Sequence, residues 1–183
     1  EATDDEKEIL ARYNGFGGVK KVFDRYLRYS NTPESKRDLE LQEELKKLTT
    51  DAEYESLDRS VLNAHYTPVQ VCRGMWELAK KAGFKGGKVF DTGFGIGRIE
   101  GAIPEEFQHV GISMFGVELD GITARIAQKL FPQATIVNES VMDNSVQNGV
   151  FDLMISNPPF AGGHFADGFN LHNYCLMDGA KKL

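Results

Sequence analysis

The sequence predicts an α/β fold, a parallel sheet with helices on both faces, preceded by a helical region over residues 1–60. Three observations predict it. Short apolar runs (KVFD, SMFGVELD, ATIVN, FDLMISN) alternate with helix-length segments, which is the order that parallel crossovers require. A glycine-rich turn, TGFGIG, follows the first of these runs directly. The texture of the chain also changes near residue 61, because the first 60 residues hold more than half of all charged side chains.

Taken in order, the first region reads as short polar helices around a turn. The segment RYNGFGGVKKVFDRYLRYS carries Tyr13, Phe16, Phe23, Tyr26 and Tyr29 among several Lys and Arg. Aromatic and basic residues together either bind nucleic acid or pack a small helical unit onto a larger domain. Asn31-Thr32-Pro33-Glu34 offers a cap, a first-turn proline and a capping-box glutamate, and Leu41, Leu45 and Leu48 fall on one face of the helix that follows. Thr50 and Glu53 form a second capping box, opening a helix at Tyr54 and Leu57. Beyond residue 61, HYTP leads into a helix over 68–82, with Pro68 in its first turn, Gly83 at its end and Trp76 on its apolar face. Strand KVFD, the glycine turn opening a helix, strand SMFGVELD, helix ITARIAQKLF, strands ATIVN and FDLMISN, and a helix over 171–182 complete the series.

Composition narrows the class. A length of 183 residues suits one domain, or one with a small appendage. No apolar run approaches the roughly 18 residues of a membrane span, and the acidic start is unlike a signal peptide. Cys72 and Cys175 form no CxxC and have no metal-ligand partners at useful spacing, so they read as reduced thiols of a cytoplasmic protein and no metal site is expected. The net charge of −6 argues against strong nucleic-acid affinity from this chain alone. The scattered histidines, His65, His109, His164 and His172, suggest no hydrolase triad, although His164 lies in a loop after ISNPPF.

Gly93, Gly95 and Gly97 let the backbone approach a ligand immediately after the first strand. Glu118, at the end of the second strand, can accept hydrogen bonds from ribose hydroxyls. Arg98 occupies the position where a dinucleotide fingerprint has its third glycine, and Asp91 adds an acid at the strand end. This pattern suits a nucleoside cofactor without a pyrophosphate. S-Adenosylmethionine fits, with its ribose at Glu118 and its methionyl ammonium near Asp91.

The run ISNPPF closes the fourth strand. The prolines fix φ and donate no hydrogen bond, so they stiffen Asn157 at the strand's mouth. A base amine attacks a sulfonium methyl only as its nitrogen moves toward tetrahedral geometry, and acceptors aimed at its two hydrogens favour that change. The Asn157 side-chain oxygen and the Pro158 carbonyl can serve as that pair, held rigid by Pro158 and Pro159. Phe160 offers a face for a stacked base.

NPPF, HYTP and DTGFGIG in this chain resemble the motifs of amino-methyltransferases that act on adenine in DNA. RYNGFGGVKKVFD, LNAHYTP, GVELDGITARIAQKLFP and FNLHNY extend the likeness to the methylase domain of phage and conjugative-element methylase–helicase fusions. The resemblance implies a Rossmann-like S-adenosylmethionine-dependent methyltransferase fold, a three-layer sandwich. It divides the chain into an N-terminal helical region over 1–60 and part of a catalytic domain over 61–183. It puts Tyr66, Thr67 and Pro68 against the methionyl end of the cofactor, Asp91, Gly93, Gly95 and Gly97 in the cofactor turn, and Glu118 on the ribose. The acid that reads the cofactor's adenine falls among Glu139, Ser140 and Asp143. Thr92 and Phe94 depart from the family's usual proline and small residue. Such folds have seven strands where four are legible here, which implies a fragment of a longer protein with a helicase-like region, or a chain pairing through its open sheet edge. DNA is the expected partner, through parts beyond this chain. The same loop also serves guanine in RNA and glutamine in proteins, and a catalytically silent DNA-protection module is a further alternative.

Overall fold

The computed structural model describes residues 2–61, 66–141 and 149–157. Four parallel strands form its sheet: β1 (Gly87–Asp91), β2 (Ile112–Val117), β3 (Thr135–Val137) and β4 (Leu153–Met154). Their order is β3-β2-β1-β4. The chain therefore moves outward from β1 through β2 to β3, then returns to the other side of β1. The reversal leaves a crevice beyond the carboxyl ends of β1 and β4, the place where open α/β sheets bind ligands.

β1 is central, and its side chains explain the layering. Val89 points into a core with Cys72, Trp76, Met114, Ala127 and Ile136, whereas Phe90 joins Phe151 and Val117 in a second cluster. The rings of Phe90 and Phe151 stack 4.8 Å apart. Burial on both faces is what a parallel sheet demands of its middle strand. This is the expected α/β architecture.

Helix α4 (Val69–Lys81) begins after Pro68 and ends before Gly83 at φ 96°, as the sequence predicts. Trp76 is fully buried and its Nε1 donates to the Ile99 carbonyl at 2.8 Å. α6 (Gly121–Leu130) takes its cap from Asp120, whose Oδ1 accepts from the Ile122 and Thr123 amides. The helix expected straight from the glycine turn does not form. A series of turns runs into a 3-10 turn at Glu100–Ala102, followed by the four-residue α5 (Glu105–Gln108). Pro104 has no N–H to continue a helix and holds Ile103 extended, at ψ 123°. β4 is also shorter than the apolar run suggests. The Asp152 carboxylate accepts from the Lys88 amide, and the chain leaves the ladder after Ile155 bonds to the Phe90 carbonyl.

Ahead of the sheet lie α1 (Asp4–Ala11), two 3-10 turns (Gly17–Phe23 and Leu27–Tyr29), α2 (Pro33–Leu48) and α3 (Asp51–Ser60). Thr3 and Glu6 form a capping box on α1, as Thr50 and Glu53 do on α3. Thr32 rather than Asn31 caps α2, and it accepts from the Ser35 amide without a capping-box glutamate. Of the leucines on one face of α2, Leu45 packs against the small core of this region. Leu48 is 76% exposed, and Gln42 is the buried residue, its Nε2 donating to the Val22 carbonyl at 2.6 Å and to the Asp24 carbonyl at 3.3 Å. Val22, Phe23, Leu57 and Val61 form a small core that reaches Ile122 of α6, and Arg125 of α6 pairs with Glu53. Among the described residues no helix is long and apolar enough to cross a membrane.

Candidate active site

The crevice between β1 and β4 gathers most of the described residues singled out by sequence. Asp91 ends β1, and its Oδ1 accepts from the Gly93 amide at 3.0 Å, which bends the chain immediately past the strand. Thr92 and Ser156 meet across the two strand ends, with their hydroxyls 2.8 Å apart. Asn157 follows, and its Nδ2 donates to the Thr67 hydroxyl at 2.9 Å. HYTP and ISNPPF, 90 residues apart in sequence, thus touch at the mouth of the crevice. Pro68 sits one position further on, as the residue before α4.

The glycine turn forms the crevice floor. Gly97 has φ 81°, and a Cβ there would lie 2.4 Å from the Phe131 ring. Phe94 turns inward over Gly116, where a Cβ would approach its ring to 2.1 Å. The bulky departure from the family pattern is therefore core, 3% exposed. The Gly95 amide donates to Glu118 Oε2 at 2.8 Å, and Oε1 of the same carboxylate accepts from the Asp120 amide at 2.8 Å. Glu118 is thereby pinned between the glycine turn and the start of α6.

Burial sets the electrostatics of these acids. It pushes the Asp91 carboxyl up to about 6, against the Gly93 and Ser156 hydrogen bonds that favour its ionised form. It pushes Glu118 up to about 7, opposed by the Asp120 and Gly95 amides and reinforced by the negative charges of Asp120 and Asp91. The site is an acidic, partly desolvated cleft suited to a cationic ligand bearing hydroxyls.

One wall was not foreseen. The Arg98 guanidinium lies 5.1 Å from the Tyr66 ring centroid, donates to the Thr67 carbonyl at 3.4 Å and bonds the Asn14 side-chain oxygen at 2.5 Å. Tyr13 meets Tyr66 edge-to-face, with centroids 6.3 Å apart. Tyr66 in turn lines the turn at Gly95. The YNGFGG segment therefore packs on the candidate site, and Arg98 connects it to HYTP. The signal was present, since Arg98 replaces a fingerprint glycine, but spacing alone gave that guanidinium no partner. Ser140 lies beyond β3, where the Asn138 amide group donates to the Glu118 and Leu119 carbonyls. Pro158, Pro159, Phe160 and Asp143 lie outside the described residues, as do His65, His164, His172, Cys175 and the helix expected over 171–182.

Comparison with known proteins adds the following. A family model described as "Methyltransferase small domain" matches residues 75–183. "Defense against restriction protein B" of Escherichia phage P1 is 24% identical over 162 residues, covering 87% of this chain. The chain spans only 5% of that protein's length. Among solved structures, the methyltransferase subunit of a type I restriction-modification system from Streptococcus thermophilus is 18% identical at a TM-score of 0.44, over 75% of this chain and 35% of that one. A TehB-like SAM-dependent methyltransferase from Corynebacterium glutamicum is 30% identical at a TM-score of 0.38, over 46% of this chain and 44% of that one.

Proposed function

The chain belongs to the methyltransferase small domain family, and from that premise we propose that residues 61–183 are the first part of the catalytic domain of an adenine-specific DNA methyltransferase. Its cofactor is S-adenosylmethionine, which when bound supplies an electrophilic methyl group on a sulfonium. The residues present fit that group. Asp91 is a buried acid whose ionised form a cation would stabilise, and Glu118 is an acceptor at the end of β2. Gly93, Gly95 and Gly97 bring backbone rather than side chains to the cleft, and Tyr66, Thr67 and Pro68 form its far side.

The hydrogen bond from Asn157 Nδ2 to Thr67 is the observation that carries this reading. It commits the donor end of the carboxamide and leaves the oxygen to accept from a target amine. With the Pro158 carbonyl as second acceptor, the amine's two hydrogens are held while its nitrogen pyramidalises, and the proton leaves after attack. Phe160 stacks on the flipped base, whose extrusion costs a few kcal/mol. Ser140 and Asp143 contribute beside the cofactor's adenine. The exposed segment with Lys20, Lys21, Arg25 and Arg28 supports DNA as the partner. The small share of the phage protein that this chain spans leaves room for a helicase-like region in the same full-length chain.

The test is labelled methyl transfer by the full-length protein to DNA, RNA and protein side by side. Transfer to adenine in DNA is expected, and Asn157→Ala should lower turnover about 100-fold or more while cofactor binding persists. Unchanged turnover removes Asn157 from this role, and transfer to guanine or glutamine moves the reading to another amino group. The name of the phage P1 protein favours a second reading, a DNA-protection module without catalysis. Calorimetry separates the two, since that module would bind DNA and give no heat with S-adenosylmethionine.

A further inference from the structure

Thr67 holds the Asn157 carboxamide by its hydroxyl, yet Tyr66 and Thr67 lie in neither a helix nor a strand. Whatever fixes Thr67 therefore fixes Asn157. Pro68 confines the preceding residue to extended backbone, which sets its local shape but not its place. The Cys72 thiol adds only a weak contact to the Thr67 carbonyl, at 3.9 Å. The same carbonyl accepts from the Arg98 guanidinium at 3.4 Å, and that guanidinium lies 5.1 Å from the Tyr66 ring centroid. Arg98 thus engages both residues from the end of the glycine turn. Among the described residues it pairs with no carboxylate, and its other nitrogen donates to the Asn14 side-chain oxygen at 2.5 Å. A planar guanidinium binds two acceptors at fixed angles, which the single ammonium of a lysine does not. Asn14, Arg98, Thr67 and Asn157 are joined in that order by three hydrogen bonds, although they come from four separate stretches of the chain.

We propose that Arg98, anchored by Asn14, is a positioning residue for methyl transfer: through the Thr67 carbonyl it sets where the Thr67 hydroxyl, and with it the Asn157 carboxamide, stands. This rests on the methyltransferase reading and goes beyond it, because it gives a residue of YNGFGG a part in the chemistry at Asn157. A reacting group displaced by about 1 Å costs up to about 100-fold in rate, so a support that touches neither cofactor nor substrate still acts on turnover.

The experiment is a double-mutant cycle on the full-length protein, read as steady-state methyl transfer to DNA. Asn14→Leu keeps the size of the side chain and removes the acceptor. It should lower kcat about tenfold, the scale of one lost hydrogen bond to a charged group, with KM for S-adenosylmethionine and DNA little changed. Asn14→Asp, which keeps an oxygen facing the guanidinium, should recover most of that loss. In the Asn157→Ala background Asn14→Leu should cost nothing further, because no carboxamide is left to misplace. An equal loss in both backgrounds would make the contact structural. A rise in cofactor KM at unchanged kcat would make it a cofactor-binding contact, and full activity of Asn14→Leu would make it idle; each of these overturns the proposal. Thermal melts within a few degrees of wild type establish that the variants are folded, and Arg98→Lys takes the place of Asn14→Leu in the cycle if the latter does not fold. A wild-type protein that transfers no methyl group to DNA, RNA or protein would instead overturn the methyltransferase reading, and the proposal with it.

Discussion

Asp91 and Glu118 are acids held where their charged forms are poorly solvated, at about 6 and about 7 respectively. Both values lie above those of the unfolded chain, so the folded protein holds more protons between about pH 4 and pH 7. The contribution of these two groups to stability is therefore present at the acid end of that window and lost as pH rises through 7. Glu6 and Glu53 are shifted the other way, each carboxylate lowered chiefly by the hydrogen bond from the backbone amide of its cap residue, Thr3 and Thr50. Ligand binding reverses the balance, since a cationic ligand and donating hydroxyls both favour the carboxylates. Affinity for S-adenosylmethionine should accordingly rise from pH 5.5 to 7.5, with proton release on binding. Calorimetry in buffers of different ionisation enthalpy measures that release, and Asp91→Asn should flatten the profile. A wild-type profile flat over this range would remove Asp91 and Glu118 from the cofactor contact.

The loop and helix elements divide into those that local pattern specifies and those that contacts decide. The glycine turn belongs to the first kind, and Gly97 is its most constrained position: an added Cβ meets the Phe131 and Phe94 rings, and φ is positive. Gly97→Ala should cost roughly 2–4 kcal/mol from overpacking and strain, read as a lowered denaturation midpoint. The Thr50–Glu53 capping box, the four strands and α4 were equally legible, because a cap or an alternation needs only neighbouring residues, whereas the box expected with Glu34 gave way to a Thr32 cap. Legibility failed where a distant partner was needed. Gln42 buries because its side-chain amide reaches the Val22 and Asp24 carbonyls, 20 and 18 residues upstream. The helix after the glycine turn is cut by Pro104, a signal that was in the sequence beside a stronger apolar pattern. At the site, Asp91, Glu118, Thr67 and Asn157 were readable from strand ends and motifs, whereas Arg98 and Asn14, 84 positions apart, could be joined only by the fold.

The charge of the whole molecule is distributed against its average. The net charge is −6, and the crevice itself is acidic. Yet Lys20, Lys21, Arg25 and Arg28 are all exposed, and among the described residues none is in an ion pair. Tyr26 and Tyr29 stand beside them, 73% and 80% exposed with ring centroids 6.5 Å apart, while Phe23 and Leu27 of the same stretch are buried. The aromatics of this segment thus divide, some packing inward and some facing water among cations. A polyanion gains from such a surface through counterion release, and bases stack on exposed rings. The proposed DNA partner therefore predicts a particular salt dependence. With Lys20, Lys21, Arg25 and Arg28 changed to Gln in the full-length protein, DNA affinity should fall, and the slope of log K against log salt should shrink by roughly 2 to 4. Affinity for S-adenosylhomocysteine should stay the same, because among the described residues none of the four cations bonds or pairs with a residue of the crevice. An unaltered salt slope would mean that the stretch is only a solvated face and that DNA is held elsewhere.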